Sequence, residues 1–215
     1  MVALNAMILA TQQRWRNILD RADGRKRALL ADTLEPIART VAVITSQTPK
    51  KASETFGAVA RQVIDAVFFM AEAHGVRAVI YALEEGADGM YVVDTNSKGK
   101  RLAPNNFEAG TRRTRLALEL VRTGAPHFED DIKAHPSDDY AGSGVDYNTF
   151  ISVPIASATE AFGLLTVDAP HTNDLTEQHV NDFQLMAGIL SIAFTGLNGR
   201  QAPRRASPFV GPAAI

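Results

Sequence analysis

The 215-residue chain contains no cysteine. Disulfide scaffolds, thiolate nucleophiles, cysteine-ligated zinc, iron–sulfur clusters and thioether-linked chromophores are therefore excluded. Long apolar runs are also missing, and none reaches the roughly 18 residues that a membrane-spanning helix needs. The apolar residues 1–10 are followed by no cleavage site typical of a secretory signal. We therefore expect a cytoplasmic location.

The sequence also lacks the short motifs of several catalytic classes. Gly142–Ser143–Gly144 is not followed by the Lys-Ser/Thr of a phosphate-binding loop, and no Gly-x-Ser-x-Gly elbow occurs. His127 and His135 could bind a metal or haem, but eight residues of loop separate them and no Glu-x-x-His pair supports zinc. The sequence therefore predicts neither an enzyme nor a metal site.

Charge is distributed unevenly along the nearly neutral chain. Residues 1–51 carry nine Lys/Arg and four Asp/Glu, whereas residues 52–198 carry ten and twenty, and residues 199–215 carry three Arg and no acid. An acidic body argues against nucleic acid as a partner, because phosphate recognition needs clustered basic residues. The basic N-terminal segment is either a solvated helical face or a segment close to anionic lipid.

The chain divides into a helical stem at 1–50, a folded body at 53–198 and a disordered Pro/Ala/Arg-rich tail at 199–215. The stem has apolar residues at coiled-coil spacing, namely Leu30, Leu34, Ile37, Val41 and Ile44. Either the body of the same chain or a second copy must cover this seam. We favour a homodimer through the N-terminal and C-terminal helices.

Periodicity and turn residues predict the elements of the body. In order, they are a helix from Ser53 to His74–Gly75, strands at 76–83 and 89–95, a helix at 110–123, a loop at 129–148, strands at 149–155 and 162–170, and a helix capped by Thr176. Short connections make the sheet antiparallel, which gives an α+β fold with the first and last helices on one face. The middle loops cover the other face, where a small-molecule site is expected.

The last helix is the clearest element. Leu175 precedes its cap, and its predicted inward positions are Phe183, Met186, Ala187, Leu190 and Phe194. Because residues 185–194 are apolar on most of the helix circumference, burial on two sides is expected, as in a subunit or bundle contact.

The order and spacing of these segments resemble a GAF domain over residues 53–197. The similar features are Val153–Pro154–Ile155 ending one strand, Gly163–Leu164–Leu165 opening the next, and the helix after Thr176. The segment 122–131 resembles the Gly-x-Pro, strand, Asp step of the family.

This resemblance implies a central antiparallel sheet flanked by helices, with a ligand pocket under loops. It also implies a sensing or dimerisation module rather than an enzyme. Family members bind cyclic nucleotides, tetrapyrroles, haem, amino acids or other metabolites, and some bind nothing. The absence of cysteine removes thiol-linked bilin and the thiol-dependent methionine-sulfoxide reductase variant. No cyclic-nucleotide signature is found, so the cofactor stays unknown.

Candidate ligand-binding residues come from the long loop and the strands beside it. They are Tyr81, Phe128, Asp130, Asp131, Tyr140, Asp146, Tyr147, Phe150 and Ser152. The carboxylates form either a solvated acidic lid or contacts to a cationic ligand. The aromatic side chains either stack on a planar ligand or anchor the loop to the core. Strand alternation places Phe150 and Ser152 on one face and Ile151 and Val153 on the other, and either face could line the pocket.

Overall fold

The computed structural model describes residues 32–44, 46–97, 104–134 and 146–198. The chain divides into two units, Met1–Arg39 and Thr40–Ile215. In the first unit, residues 32–39 are helical and Arg39 forms an ion pair with Glu35. The predictions for residues 1–31 of the stem and for the tail at 199–215 lie outside the described residues.

The second unit is built on a five-stranded antiparallel sheet. Its strands are β1 (Arg77–Leu83), β2 (Met90–Ser97), β3 (His127–Glu129), β4 (Thr149–Ala156) and β5 (Ala161–Ala169). The helices of the described chain are α1 (residues 32–44, of which 32–39 belong to the first unit), α2 (Pro49–Ala71), α3 (Arg112–Thr123) and α4 (Glu177–Asn198). The strand order is β2-β1-β5-β4-β3, and every neighbouring pair is antiparallel. The predicted α+β fold with a central antiparallel sheet is confirmed.

Helix α2 begins and ends earlier than the sequence pattern predicts. Thr48 is its N-cap and Pro49 occupies the first turn, where a missing N–H costs nothing. The helix ends at Ala71 because Glu72 adopts the left-handed conformation with φ 49°. The predicted cap Gly75 also has positive φ, but it lies in the turn that leads into β1.

The two faces of the sheet have different coverings. Helices α2 and α4 pack against each other and against the sheet. Helix α3 lies on the other face, where its Ala117 and Val121 join the sheet residues Val79, Tyr81 and Leu164 in one buried cluster. We call the side of the sheet that carries Val79, Tyr81 and Leu164 the α3 face. The predicted separation of terminal helices from middle segments is therefore confirmed.

Strand register assigns the β4 residues to these faces. Phe150 is paired with Asp168 and Ser152 with Thr166 on β5, and Thr166 is in turn paired with Val79 of the α3 face. Because side chains alternate along a strand, Phe150 and Ser152 lie on the α3 face, and Ile151 lies on the opposite face.

Close backbone contact fixes one glycine between β1 and β5. Gly163 is paired with Ala82, and a β-carbon built on Gly163 would lie 1.9 Å from the backbone oxygen of Tyr81. No side chain fits at this position without moving the strands apart.

Helix α4 supplies much of the core. All five inward positions predicted for it are buried, as is Leu175 before it. Its other side carries apolar side chains that stay exposed among the described residues, with Leu185 and Ile192 45% and 62% exposed. Among the described helices, α4 alone is long and apolar enough to cross a membrane, but its buried positions belong to the core of the fold.

The part of the predicted stem seam that falls in the second unit is already covered. Val41 and Ile44 are buried within a single chain. For these two residues, packing within the chain accounts for the apolar pattern.

Candidate functional site

A buried ion pair lies on the α3 face of the sheet. Arg77, at the start of β1, is paired in register with Asp168, near the end of β5. The Nε and Nη2 atoms of Arg77 both donate to Oδ2 of Asp168, at 2.9 and 2.8 Å. The two side chains are only 12% and 4% exposed. Charged groups are rarely buried this far unless they are paired.

The surroundings keep Arg77 charged. Burial by itself lowers the pKa of the Arg77 guanidinium. The charge and hydrogen bond of Asp168, together with the charge of Asp146, raise that pKa by more than burial lowers it. The net result is a pKa above the ordinary value of arginine. Arg77 is therefore a permanent cation, held against the Asp168 carboxylate and further stabilised by the negative charge of Asp146.

A cluster of aromatic rings lies beside the ion pair. The Cζ atom of Arg77 lies 5.9 Å from the centroid of the Tyr147 ring, a cation–π contact. Tyr147 in turn meets Phe150 edge-on, with ring centroids 6.2 Å apart. His127 on β3 stacks on Phe150 at 5.3 Å. Charge, phenol, imidazole and an apolar ring thus converge on one part of the sheet.

Two hydroxyl groups continue the polar patch along β4 and β5. The side-chain oxygens of Ser152 and Thr166 lie 3.2 Å apart, and both residues are buried. The hydroxyl of Thr149, at the start of β4, donates to the backbone oxygen of Glu129 at 2.7 Å and ties β4 to the end of β3. We call Arg77, Asp168, Tyr147, Phe150, Ser152 and Thr166 the ion-pair site.

Tyr81 belongs to a neighbouring cluster rather than to the ion-pair site. Its ring meets Phe107 edge-on at 4.7 Å, and the guanidinium of Arg113 lies 4.0 Å from the Phe107 centroid. Burial raises the pKa of the Tyr81 phenol, while the charge and hydrogen bond of Arg113 lower it, and the net pKa is raised. Tyr81 thus anchors α3 to β1 through a buried hydroxyl.

Several predicted site residues are not brought together with these. Phe128 is paired with Ile151 and so lies on the α2–α4 side of the sheet. Asp130 is exposed, and the Asp131 carboxylate accepts the backbone N–H groups of Lys133 and Ala134 in a local turn. Tyr140 lies outside the described residues.

Neither member of the ion pair is among the binding residues that the sequence predicts. Arg77 stands in the apolar strand Arg77–Leu83, and Asp168 stands in the apolar strand Ala161–Ala169. One charge of each sign in two otherwise buried strands is a usable signal, because buried charges occur in pairs. Thr166, two residues before Asp168, could have been added by the same alternation.

Metal ligands are not gathered in the part of the chain that the structure describes. No group of three or more His, Asp or Glu side chains is placed to hold an ion there. His127 is engaged with Phe150, and His135 lies outside the described residues.

A sequence model of the GAF domain matches residues 53–195, which is most of the chain. The chain belongs to the GAF domain family. The resemblance over residues 53–197 is thus confirmed. No curated protein matches the chain.

Solved GAF domains share its fold. The phycoerythrobilin-bound GAF domain of a cyanobacterial phytochrome superposes with a TM-score of 0.58 at 16% identity, covering 80% of this chain and 98% of the other. A GAF domain from an Acinetobacter phosphoenolpyruvate-protein phosphotransferase gives 0.51 at 20% identity, over 75% and 93%. Free methionine-R-sulfoxide reductase from Neisseria meningitidis gives 0.54 at 17% identity, over 78% and 90%.

These similarities establish the architecture of this GAF domain and not its ligand. GAF domains are common in signalling proteins and are generally regulatory modules. The structural relatives nevertheless include enzymes, the free methionine-R-sulfoxide reductases.

Proposed function

We propose that this GAF domain is a non-catalytic signalling module that binds a small molecule non-covalently on the α3 face. One observation carries the proposal: a buried ion pair and a buried hydroxyl pair converge beneath aromatic rings on an otherwise apolar sheet. A buried ion pair adds little stability compared with apolar residues of the same size. Polar groups that converge in an apolar surrounding are typical of ligand sites.

The residues indicate what kind of ligand would fit. Tyr147 covers Arg77 and is 7% exposed, so a ligand would enter by displacing its ring. A planar group could then stack on Phe150 in the place of that ring. Because Asp146 and Asp168 outnumber the single cation Arg77, a neutral or cationic ligand is favoured over an anion. Covalent attachment through a thiol is excluded, since the chain has no cysteine.

Transmission would run through the sheet to the terminal helices. Residues of β4 alternate between the α3 face and the side on which α4 packs. A ligand that takes the place of the Tyr147 ring against Phe150 would therefore act on a strand whose intervening residues face α4. A ligand changes the helix arrangement only as far as it binds the two arrangements unequally. We propose that the helices carry this change within a homodimer.

A second candidate is a membrane-proximal structural dimerisation domain that has no ligand. Its support is that Phe150 and Tyr147 are 1% and 7% exposed and so fill the α3 face with side chains of the chain itself. A filled face needs no ligand for its stability.

A thermal-shift experiment with haem, biliverdin, cyclic nucleotides and free amino acids separates the two candidates. A bound ligand raises the melting temperature, since a concentration of about 100 times Kd adds about 2.7 kcal/mol to the free energy of unfolding. The matched control is the double variant Arg77→Met/Asp168→Leu, which replaces the ion pair with apolar groups. We expect at least one probe to stabilise the wild type and not the control. If no probe does so, the structural candidate is favoured.

A further inference from the structure

Positive charge is concentrated in one segment of an otherwise acidic body. Residues 98–122 hold seven of the ten Lys/Arg of the body at 52–198 and two of its twenty Asp/Glu. Three of the seven are Arg112, Arg113 and Arg115, which open helix α3. Positive charge at the start of a helix opposes the helix dipole. The stability of α3 therefore does not explain why arginines stand here.

Arg113 differs from the other two in where its side chain lies. Arg112 and Arg115 are exposed, whereas Arg113 is half-buried. The guanidinium of Arg113 lies 4.0 Å from the centroid of the Phe107 ring, a cation–π contact. The Phe107 ring meets Tyr81 edge-on at 4.7 Å, and both rings are buried in the cluster beneath α3. This aromatic surface holds the guanidinium in place.

The charge of Arg113 is not balanced by a carboxylate within the described ranges. Each ion pair found there belongs to another arginine. On the same helix, for example, Arg122 is paired with Glu119. The neighbours of Arg113 are an aromatic ring and a neutral phenol, and neither cancels a charge. Because charged groups are usually paired where they are partly buried, Arg113 is suited to an anion from outside the chain.

Arg113 contacts the same face of the sheet that carries the ion-pair site. Tyr81 and Arg77 lie on one face of β1, four residues and so about 13 Å apart along the strand. Arg77 and Arg113 carry two positive charges beside this face, and Asp146 and Asp168 carry two negative ones. A molecule with one charge of each sign at its two ends therefore matches the face better than a simple cation does.

We infer that Arg113 binds the carboxylate of a zwitterionic ligand whose cationic end lies at Asp168, with an apolar body between the two ends. A guanidinium and a carboxylate match each other in two parallel hydrogen bonds. A free α-amino acid cannot make both contacts, because its two charged groups are bonded to the same carbon. The inference rests on the proposed function and adds a ligand class and a contact residue to it.

Two compounds of equal size test the ligand class. para-(Aminomethyl)phenylbutanoate carries an ammonium and a carboxylate at opposite ends of a phenyl ring, and its primary amide lacks only the negative charge. In titration calorimetry on the full chain, we expect the acid to bind at least about tenfold more tightly than the amide, because the amide cannot form the charge-assisted pair. Equal affinities, or binding of neither compound to the wild type, overturn the inference.

Two variants of α3 test whether Arg113 is the residue that binds the carboxylate. Arg113→Met keeps an unbranched side chain over Phe107 and removes the charge, so it should bind the acid and the amide equally. Arg115→Met is the matched control, since Arg115 is exposed on the same helix, and it should keep the tenfold preference. Circular dichroism should show the same fold in both variants. A preference for the acid that persists in Arg113→Met overturns the inference.

The double variant Arg77→Met/Asp168→Leu separates this inference from the proposed function. It should bind both compounds more weakly by a similar factor and keep the preference for the acid, because Arg113 is unchanged. Wild-type affinity of the double variant for both compounds would contradict the ion-pair site, and with it the inference. Equal affinity of the wild type for the acid and the amide would contradict the role of Arg113 alone.

Discussion

The buried pair of Arg77 and Asp168 allows a quantitative test of the ion-pair site. Asp168→Leu leaves the guanidinium of Arg77 without its carboxylate, and Arg77→Met leaves the carboxylate of Asp168 without its cation. The double variant Arg77→Met/Asp168→Leu removes both charges and fills the space with apolar atoms. The three variants and the wild type form a double-mutant cycle.

The expected magnitudes come from the burial of the two groups. Losing one partner of a buried pair costs about 3–5 kcal/mol, and the 12% exposure of Arg77 places these variants near the lower end, at about 3 kcal/mol each. Replacing both partners with apolar groups is close to neutral, so we expect the double variant to lie within about 1 kcal/mol of the wild type. Since the single effects add up to about 6 kcal/mol and the double variant loses at most about 1 kcal/mol, the two substitutions should be coupled by at least about 5 kcal/mol.

Urea unfolding followed by circular dichroism measures all four free energies of unfolding on the same scale. The slope with denaturant should be the same in each variant, which shows that the unfolded states are comparable. A double variant that loses the sum of the two single effects, about 6 kcal/mol, would refute the reasoning, because the two charges would then act independently.

Three further predictions follow from the packing. Gly163→Ala should cost about 3 kcal/mol in urea unfolding, because its β-carbon meets backbone, whereas Gly57→Ala on α2 meets no atom within 4 Å and should be neutral or stabilising. Thr111→Ala should lower the free energy of unfolding by about 1 kcal/mol, since the Thr111 hydroxyl accepts a backbone N–H of α3. Thr48→Ala should lower it by less, since the Thr48 side chain makes no such bond to α2. Equal losses in the two variants would contradict this. Because folding raises the pKa of Tyr81, the neutral phenol contributes its full stability below the unfolded pKa of about 10, and this stability is lost as pH rises above that value. Tyr81→Phe should therefore flatten the alkaline fall in melting temperature. An unchanged fall would contradict this.

Most of the fold follows from local sequence patterns. Alternation and turn residues are sufficient for the two long hairpins. The predicted helix at 110–123 is observed as α3, which ends at Gly124 in the left-handed conformation. The sequence places the start of α2 too late, because Ser53 is a good capping residue. The helix instead begins after Thr48, with Pro49 in its first turn. Capping preference alone could not choose between two adjacent starts.

The candidate site was harder to predict because it depends on contacts between distant strands. Tyr147, Phe150 and Ser152 were named from the sequence and do lie on one face, but Phe128 lies on the other. Arg77 and Asp168 are 91 residues apart, and only the register of β1 against β5 makes them neighbours. Strand order in a sheet is set by tertiary packing, so local periodicity alone does not place β1 beside β5, even though a buried charge in each strand indicates that the two could pair.

Native mass spectrometry of the full chain, purified without denaturant, tests most directly whether the ion-pair site holds a small molecule. We expect a wild-type population that carries an additional non-covalent mass, and we expect this mass to be lost in Arg77→Met/Asp168→Leu. Bare chain masses in both proteins, or the same additional mass in both, would contradict a ligand at this site.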